Sequence, residues 1–238
     1  MNIRQLFFDL DRTLWDFETN SRFALQYLYD DLRLGDTIEH FMHFHHTYIR
    51  VNADLWNQYG NGKLTKEELR DNRFKKALAH HGIHDELLAK QMSDGYIELS
   101  PQQTALFPGT VETLESLKNQ GYALHIITNG FKEVQHIKLE KSGISSFFNT
   151  VLCSEEIGFT KPHREIFLEA QRLTDCKTEH AIMIGDDFKA DIIGALNAGW
   201  TAIHFDPEHK YKKERNVPRI RELSEVPEVV NLLPIVTN

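Results

Sequence analysis

Short apolar runs alternate with longer mixed stretches along this chain, and the two carry different periods. Five runs, over residues 5–8, 122–128, 150–153, 181–184 and 201–205, are dense in aliphatic and aromatic side chains and are bounded by acids, glycine or turn residues. Their length and boundaries predict strands. Between the last four, apolar positions recur at helical spacing. Helices are predicted over 111–119 with Gly121 as the stop, over 164–173 opened by Pro162, and over 189–197 closed by Gly199. Strands that alternate with helices predict a parallel sheet covered on both faces, an α/β architecture.

The stretch from 16 to 103 breaks this rhythm. It shows no strand-like run but four helical ones, over 21–31, 37–57, 65–81 and 85–99, punctuated by Gly60-Asn61-Gly62 and Gly82. A connection of that length between two consecutive strands far exceeds an ordinary crossover. The expected organisation is therefore an α/β core built from 1–15 and 104–238, with an all-helical module inserted over 16–103. Inserts of this kind commonly cover a site.

Composition narrows the class. At 238 residues the chain can bury a core without staples. A net charge of −8 and a pI near 5.9 argue against gripping a nucleic acid polymer, while leaving room for a local pocket that takes a small anion. The two cysteines, Cys153 and Cys176, have neither metal-ligand spacing nor a disulfide framework. No apolar run approaches the roughly 18 residues needed to cross a membrane. The first apolar stretch is too short, and is followed too quickly by acids, to be a secretion signal. A cytoplasmic protein without membrane partners is expected.

Ligands of open α/β sheets sit outside the carboxyl ends of the strands, so the residues that close each strand are where chemistry belongs. The first strand runs into Asp9 and Asp11. Residues i and i+2 of extended chain share a side and lie about 6.6 Å apart, near enough to address one small group. Two carboxylates in a closed site repel unless they share a proton or a cation intervenes, and carboxylate with carbonyl oxygen is what Mg²⁺ prefers. Asp is also common where strands end, so a pair of turn-capping acids accounts for the stretch equally simply. The second strand ends in Thr128-Asn129-Gly130, a set of hydrogen-bond donors for an anion or a plain turn into a helix. Thr160-Lys161-Pro162 sets a lysine before a helix start, which favours an anion; a solvated loop lysine is the alternative. The fourth strand is followed by Gly185-Asp186-Asp187 and then Asp191, whose place in a first helical turn has a structural reason of its own.

The order and company of these stretches carry more than any one of them. The chain resembles the haloacid dehalogenase superfamily over its whole length. Asp9, Asp11 and Thr13 match the family's Asp-x-Asp-x-Thr motif, Thr128 its second-motif hydroxyl, Lys161 its lysine, and Asp186 with Asp191 its last acids. Within the superfamily, the stretch FDLDRTL followed by Trp15-Asp16-Phe17 is similar to bacterial pyrimidine 5′-nucleotidases, although Arg12 is uncommon inside the motif. The resemblance implies a Rossmann-like core with a helical cap and a Mg²⁺-dependent phosphomonoester hydrolase working through an aspartyl-phosphate. It assigns Asp9 as nucleophile and Asp11 as acid–base, and implies a metal held by Asp9, the Asp11 carbonyl and Asp186. It implies further that Thr128, the Asn129 backbone and Lys161 bind the phosphoryl group, that Asp191 supports the metal water or the lysine, and that the substrate is a nucleotide or sugar phosphate. The alternatives are a phosphomutase, which keeps both acids; a haloacid dehalogenase, which the second acid Asp11 disfavours; and a binding protein on a degenerate core, which the filled motif positions disfavour.

The helical stretch holds further candidates. His40, His43, His45 and His46, with His80, His81 and His84, place imidazoles at helical spacing, but no cysteine or carboxylate completes a zinc set, so packing and surface roles are expected. Phe41, Phe44, Tyr48, Trp56 and Tyr59 fit a module core, one or two of them being available to face a base. The basic run over 209–215 is expected to be a solvated loop.

Overall fold

The structure, a computed structural model, describes residues 4–209 and 217–233; residues 210–215 of the basic run lie outside them. It divides into two compact units, one made of residues 1–17 and 104–238, the other of 18–103.

In chain order the elements are β1 (Gln5–Phe8), α1 (Phe17–Asp31), α2 (Phe41–Gly60), α3 (Lys66–Ala79), α4 (Glu86–Leu99), α5 (Thr110–Asn119), β2 (Ala123–Thr128), α6 (Lys132–Lys141), β3 (Thr150–Cys153), α7 (Arg164–Thr174), β4 (Ala181–Gly185), α8 (Gly194–Asn197), β5 (Thr201–Phe205), β6 (Arg219–Ile220) and α9 (Val226–Leu232). The strands form one sheet in the order β3-β2-β1-β4-β5-β6, and every pairing is parallel. This is the Rossmann-like doubly wound arrangement expected for the core. The winding reverses beside β1, between β1 and β4, and the crevice at such a reversal is where open α/β sheets bind ligands.

Strand β1 shows why the sheet needs cover on both sides. Leu6 and Phe8 point into a core shared with Leu114 and Leu117 of α5, Leu139 of α6, and Val226 and Val230 of α9. Phe7, between them, points the other way, against Ile166, Phe167 and Ala170 of α7 and Ala195 of α8. Each buried phenylalanine stabilises by about 1.5–3 kcal/mol relative to exposure, so β1 is anchored from two sides immediately before its acids.

Helices α6 and α9 add to the expected set, and two further elements depart from expectation. The helix predicted over 189–197 is a π-helical turn, Phe188–Ile193, running into the short α8. Asp187 starts it: its side chain accepts from Lys189 N and Ala190 N at 2.9 and 2.8 Å, and its carbonyl takes the amide of Ile192 at 3.4 Å. The widened turn moves Asp191 inward, and such turns are frequent at functional sites. The sheet also gains β6, whose two residues pair with His204 and Phe205.

The helical unit has its own core. Leu25, Phe44, Tyr48, Phe74, Met92 and Tyr96 are buried together, and Tyr48 lies flat on Phe74 with ring centroids 5.3 Å apart. Phe41 packs edge-on against Tyr29, and Trp56 against Tyr59. The sequence stops and starts these helices locally: Thr65 accepts from Glu68 N while the Glu68 side chain takes Thr65 N, a reciprocal cap at the start of α3. The histidines are spread through this packing, His40 against His43 and His45 against Phe41. Among the described residues they form no group of three with ligand atoms close together.

Candidate active site

The ends of β1, β2 and β4, with the loop before α7, bring the predicted residues to one place in the α/β unit. Asp9 follows β1 directly, and its amide continues the ladder to the Ile184 carbonyl of β4 at 2.9 Å. The chain then turns sharply. The Leu10 carbonyl collects the amides of Leu14 and Trp15 at 3.0 and 2.9 Å, and Arg12 takes the left-handed region at φ 66°. That conformation is uncommon for a side chain of this size. The Arg12 guanidinium lies over the Phe17 ring, 4.3 Å from its centroid. The turn sends Asp9 and Asp11 to different partners although they are two residues apart.

Asp9 is buried and faces Lys161, whose Nζ donates to Asp9 Oδ1 at 2.6 Å and to the Ile127 carbonyl at 2.7 Å. The same ammonium pairs with Asp191 Oδ1 at 2.6 Å. Asn129 sets this lysine in place: its Oδ1 accepts from Lys161 N at 2.8 Å and its Nδ2 donates to the Lys161 carbonyl at 3.1 Å. Thr13 links the two strand ends. Its hydroxyl accepts from Asp186 N at 3.1 Å and lies 3.4 and 3.3 Å from carboxylate oxygens of Asp9 and Asp186. His204 Nε2 lies 3.1 Å from the Asp186 carbonyl, and a carbonyl accepts only, so that nitrogen carries the proton. Gly185 is required by the inward Asp191: a Cβ there would lie 2.2 Å from Asp191 Oδ2.

Oxygens of Asp9, Asp186 and Asp191 lie within 4.8 Å of one another. Burial pushes Asp9 up to about 7 against the pull of Lys161, and pushes Asp186 up to about 8, with Asp9 adding to the rise. Asp191 is raised for the same first reason, again against Lys161. Burial also works against the Lys161 charge, but Asp191 and Asp9 outweigh it and hold the ammonium above the ordinary lysine value. Three desolvated carboxylates of this kind offer hard oxygen donors, the chemistry that suits Mg²⁺. The residues present fit such an ion.

Asp11 turns towards α6, accepting from Lys138 Nζ at 2.5 Å and from Gln135 Nε2 at 2.9 Å. Gln135 Nε2 also donates to Thr128 Oγ1 at 2.7 Å, and Gly130 N reaches the same oxygen at 3.1 Å. The sequence reading placed Asp9, Asp11, Thr128, Asn129, Lys161, Asp186 and Asp191, and the fold gathers all of them. It did not name Gln135, Lys138 or His204, and it offered the Asn129 amide to an anion where the structure has the side chain hold Lys161.

The sequence matches the haloacid dehalogenase-like hydrolase family over residues 6–205. It is 31% identical to the HAD-hydrolase YfnB of Bacillus subtilis over 96% of each chain. It is 33% identical to the pyrimidine 5′-nucleotidase PynA of Streptococcus pneumoniae, covering 86% of this chain and 84% of that one, and 29% identical to the pyrimidine 5′-nucleotidase YjjG of Escherichia coli over 90% of each. The crystal structure of B. subtilis YfnB bound to magnesium superposes with a TM-score of 0.86 at 29% identity, covering 98% of this chain and all of that one. With its motif acids, lysine and hydroxyl converging at the ends of β1, β2 and β4, the chain belongs to the haloacid dehalogenase-like hydrolase family.

Proposed function

We propose that the protein is a Mg²⁺-dependent phosphomonoester hydrolase that works through an aspartyl-phosphate on Asp9, with pyrimidine nucleoside 5′-monophosphates among its better substrates. The observation that carries this reading is the division of labour between the paired acids. Asp9 is buried against a lysine and two more carboxylates, while Asp11 points to a separate set of donors. This division supports a reading in which one acid attacks and the other moves protons. A halide-displacing enzyme has no use for the second acid.

In the proposed reaction an Asp9 carboxylate oxygen forms a bond to phosphorus as the bond to the leaving oxygen breaks. The Asp11 carboxyl, protonated before this step, gives its proton to that oxygen, and Lys138 holds the carboxylate that results. Asp11, now a carboxylate, takes a proton from water as the water oxygen attacks phosphorus and the Asp9–phosphorus link breaks. The Thr128 hydroxyl, the Asn129 backbone and the Lys161 ammonium bind the transferring phosphoryl oxygens, and Asp191 holds Lys161 at its post. Asp9, Asp186 and the Asp11 carbonyl would hold Mg²⁺, which would supply neutralisation of charge on the phosphoryl group. This assignment suits a reaction catalysed by positioning and charge neutralisation.

The nucleotide preference is supported by PynA and YjjG, both pyrimidine 5′-nucleotidases covered over most of their length. We assign the chemistry to the α/β unit and the choice of leaving group to the helical insert. Two unpaired, buried cysteines fit a reducing cytoplasm. Among the described residues no helix is long and apolar enough to cross a membrane. The test is phosphate release from UMP, dTMP, AMP, hexose phosphates and p-nitrophenyl phosphate, with and without Mg²⁺. Metal-dependent release with UMP or dTMP leading supports the whole reading. Release without nucleotide preference removes the substrate half, and no release from any ester removes both.

A further inference from the structure

We propose that Gln135 and Lys138 of α6 are positioning residues for catalysis: together they fix both oxygens of Asp11, and Gln135 also fixes the direction in which Thr128 donates. The inference rests on the phosphomonoester hydrolysis proposed above.

The two residues stand one helical turn apart on α6, so they present one face. That face is sealed: Gln135 is 0% and Lys138 4% exposed. A buried lysine is uncommon and costly unless paired, and this one is held twice. Its Nζ lies 2.5 Å from Asp11 Oδ1 and 4.3 Å from the centroid of the Trp15 ring, itself fully buried. Gln135 completes the grip from the other side, 2.9 Å from Asp11 Oδ2. The carboxylate is thereby clamped at both oxygens by side chains 124 and 127 residues away in sequence. The chain makes room for this arrangement, since a Cβ on Gly130 would lie 2.3 Å from Gln135 Nε2.

The effect on Thr128 follows from donor counting. Thr128 Oγ1 accepts from Gln135 Nε2 and from Gly130 N. A hydroxyl has two acceptor lone pairs and one proton. With both lone pairs occupied, the proton must be donated elsewhere, and a phosphoryl oxygen is the acceptor the proposed reaction supplies. Gln135 thus keeps Thr128 a donor.

These two roles separate experimentally through the leaving group. The kcat/KM of a two-step phosphatase reports formation of the phosphoenzyme. An alkyl ester such as UMP or a hexose phosphate needs a proton on the departing oxygen; p-nitrophenolate leaves without one. Lys138→Met is expected to lower kcat/KM for the best alkyl ester by about 10²-fold, within the usual worth of a general acid, and for p-nitrophenyl phosphate by less than about tenfold. Gln135→Leu is expected to lower both substrates, through Thr128, and the alkyl ester further. Lys138→Arg, which keeps the charge, is expected to restore most of the alkyl activity. Thermal melts accompany each variant, and if Lys138→Met does not fold, Lys138→Gln gives the same comparison with a donor but no charge. Equal losses on the two ester classes from the Lys138 variants would mean a merely structural part and overturn the proposal, as would unchanged alkyl activity. A wild-type protein that hydrolyses no ester overturns the functional reading and this inference with it; an active wild type with indifferent variants overturns this inference alone.

Discussion

Protonation of His125 is expected to weaken the fold by about 3 kcal/mol as the pH falls from 7 to 4. His125 sits in the middle of β2, three residues before Thr128, 3% exposed and stacked on Phe7 of β1 with ring centroids 4.8 Å apart. Neither ring nitrogen has a hydrogen-bond partner among the described residues. Burial therefore drives its pKa down from 6.5 to about 4. Because the folded value is depressed, the unfolded chain binds the extra proton first as pH falls. Stability is complete above about pH 7 and is lost between about 6.5 and 4. At 1.36 kcal/mol per unit the loss is about 2 kcal/mol by pH 5 and about 3 kcal/mol by pH 4. The buried site acids, whose values are raised, change stability in the opposite direction over part of this range. The clean measurement is thus a difference: urea denaturation of wild type and His125→Leu at pH 7, 6 and 5. The variant should gain about 2 kcal/mol on wild type between pH 7 and 5. A constant gap would show that the imidazole finds water or a partner and that the burial argument is wrong.

Asp9→Asn is expected to abolish turnover with the fold intact by circular dichroism, since an amide is nearly isosteric but cannot attack phosphorus; activity within tenfold of wild type counts against the assigned nucleophile. Asp11→Asn should slow turnover by roughly 10²–10⁴ while Mg²⁺ binding, read by calorimetry, survives, because the proposed ligand is its backbone carbonyl. Asp186→Ala should chiefly raise the Mg²⁺ concentration needed for activity, whereas Lys161→Ala should fail at saturating metal; a Mg²⁺ titration in which the two behave alike refutes the separation of roles.

Much of the site was legible because its signals are local. An apolar run that ends in Asp9 and Asp11, or in Thr128-Asn129-Gly130, marks a strand end within a handful of residues, and topology then dictates that parallel strand ends meet. What stayed hidden depends on pairings that no short window contains. Gln135 and Lys138 belong to a helix with few apolar positions, and two polar residues at i and i+3 ordinarily mean a solvated face; only the Asp11 turn and Trp15 explain their burial. The π-helical turn was unreadable for a related reason. The sequence over 188–197 has helical spacing, and the extra residue per turn is set by Asp187 and by the demand that Asp191 reach Lys161. Strand β6 escaped because two residues carry no period. The part of the Asn129 side chain has no local signal, because its clamp on Lys161 spans 32 residues of chain.

The charge balance of the site ties its architecture to its chemistry. Asp9, Asp186 and Asp191 are set against the one ammonium of Lys161. Against the Lys161 ammonium the three carboxylates leave an excess of two when all are ionised, which the Arg12 guanidinium offsets in part at Asp186. Burial, with the neighbouring carboxylates adding to it, pushes Asp9 and Asp186 up to about 7 and 8, and an uncompensated excess in such a site is costly. A divalent cation of hard-oxygen preference cancels the excess with the ligands already in place. Asp11 stands outside this account because Lys138 balances it separately. The two acids of the first strand therefore belong to two electrostatic compartments. One lies against Lys161, and in the proposed reaction it would, with a metal bound, approach a phosphoryl dianion. The other is paired with Lys138, and in the proposed reaction it would exchange protons with Lys138 holding its carboxylate form. The turn at Arg12, with its left-handed backbone, is what sends the two carboxylates apart. The left-handed backbone at a residue of this size stores strain at the turn that separates the two acids.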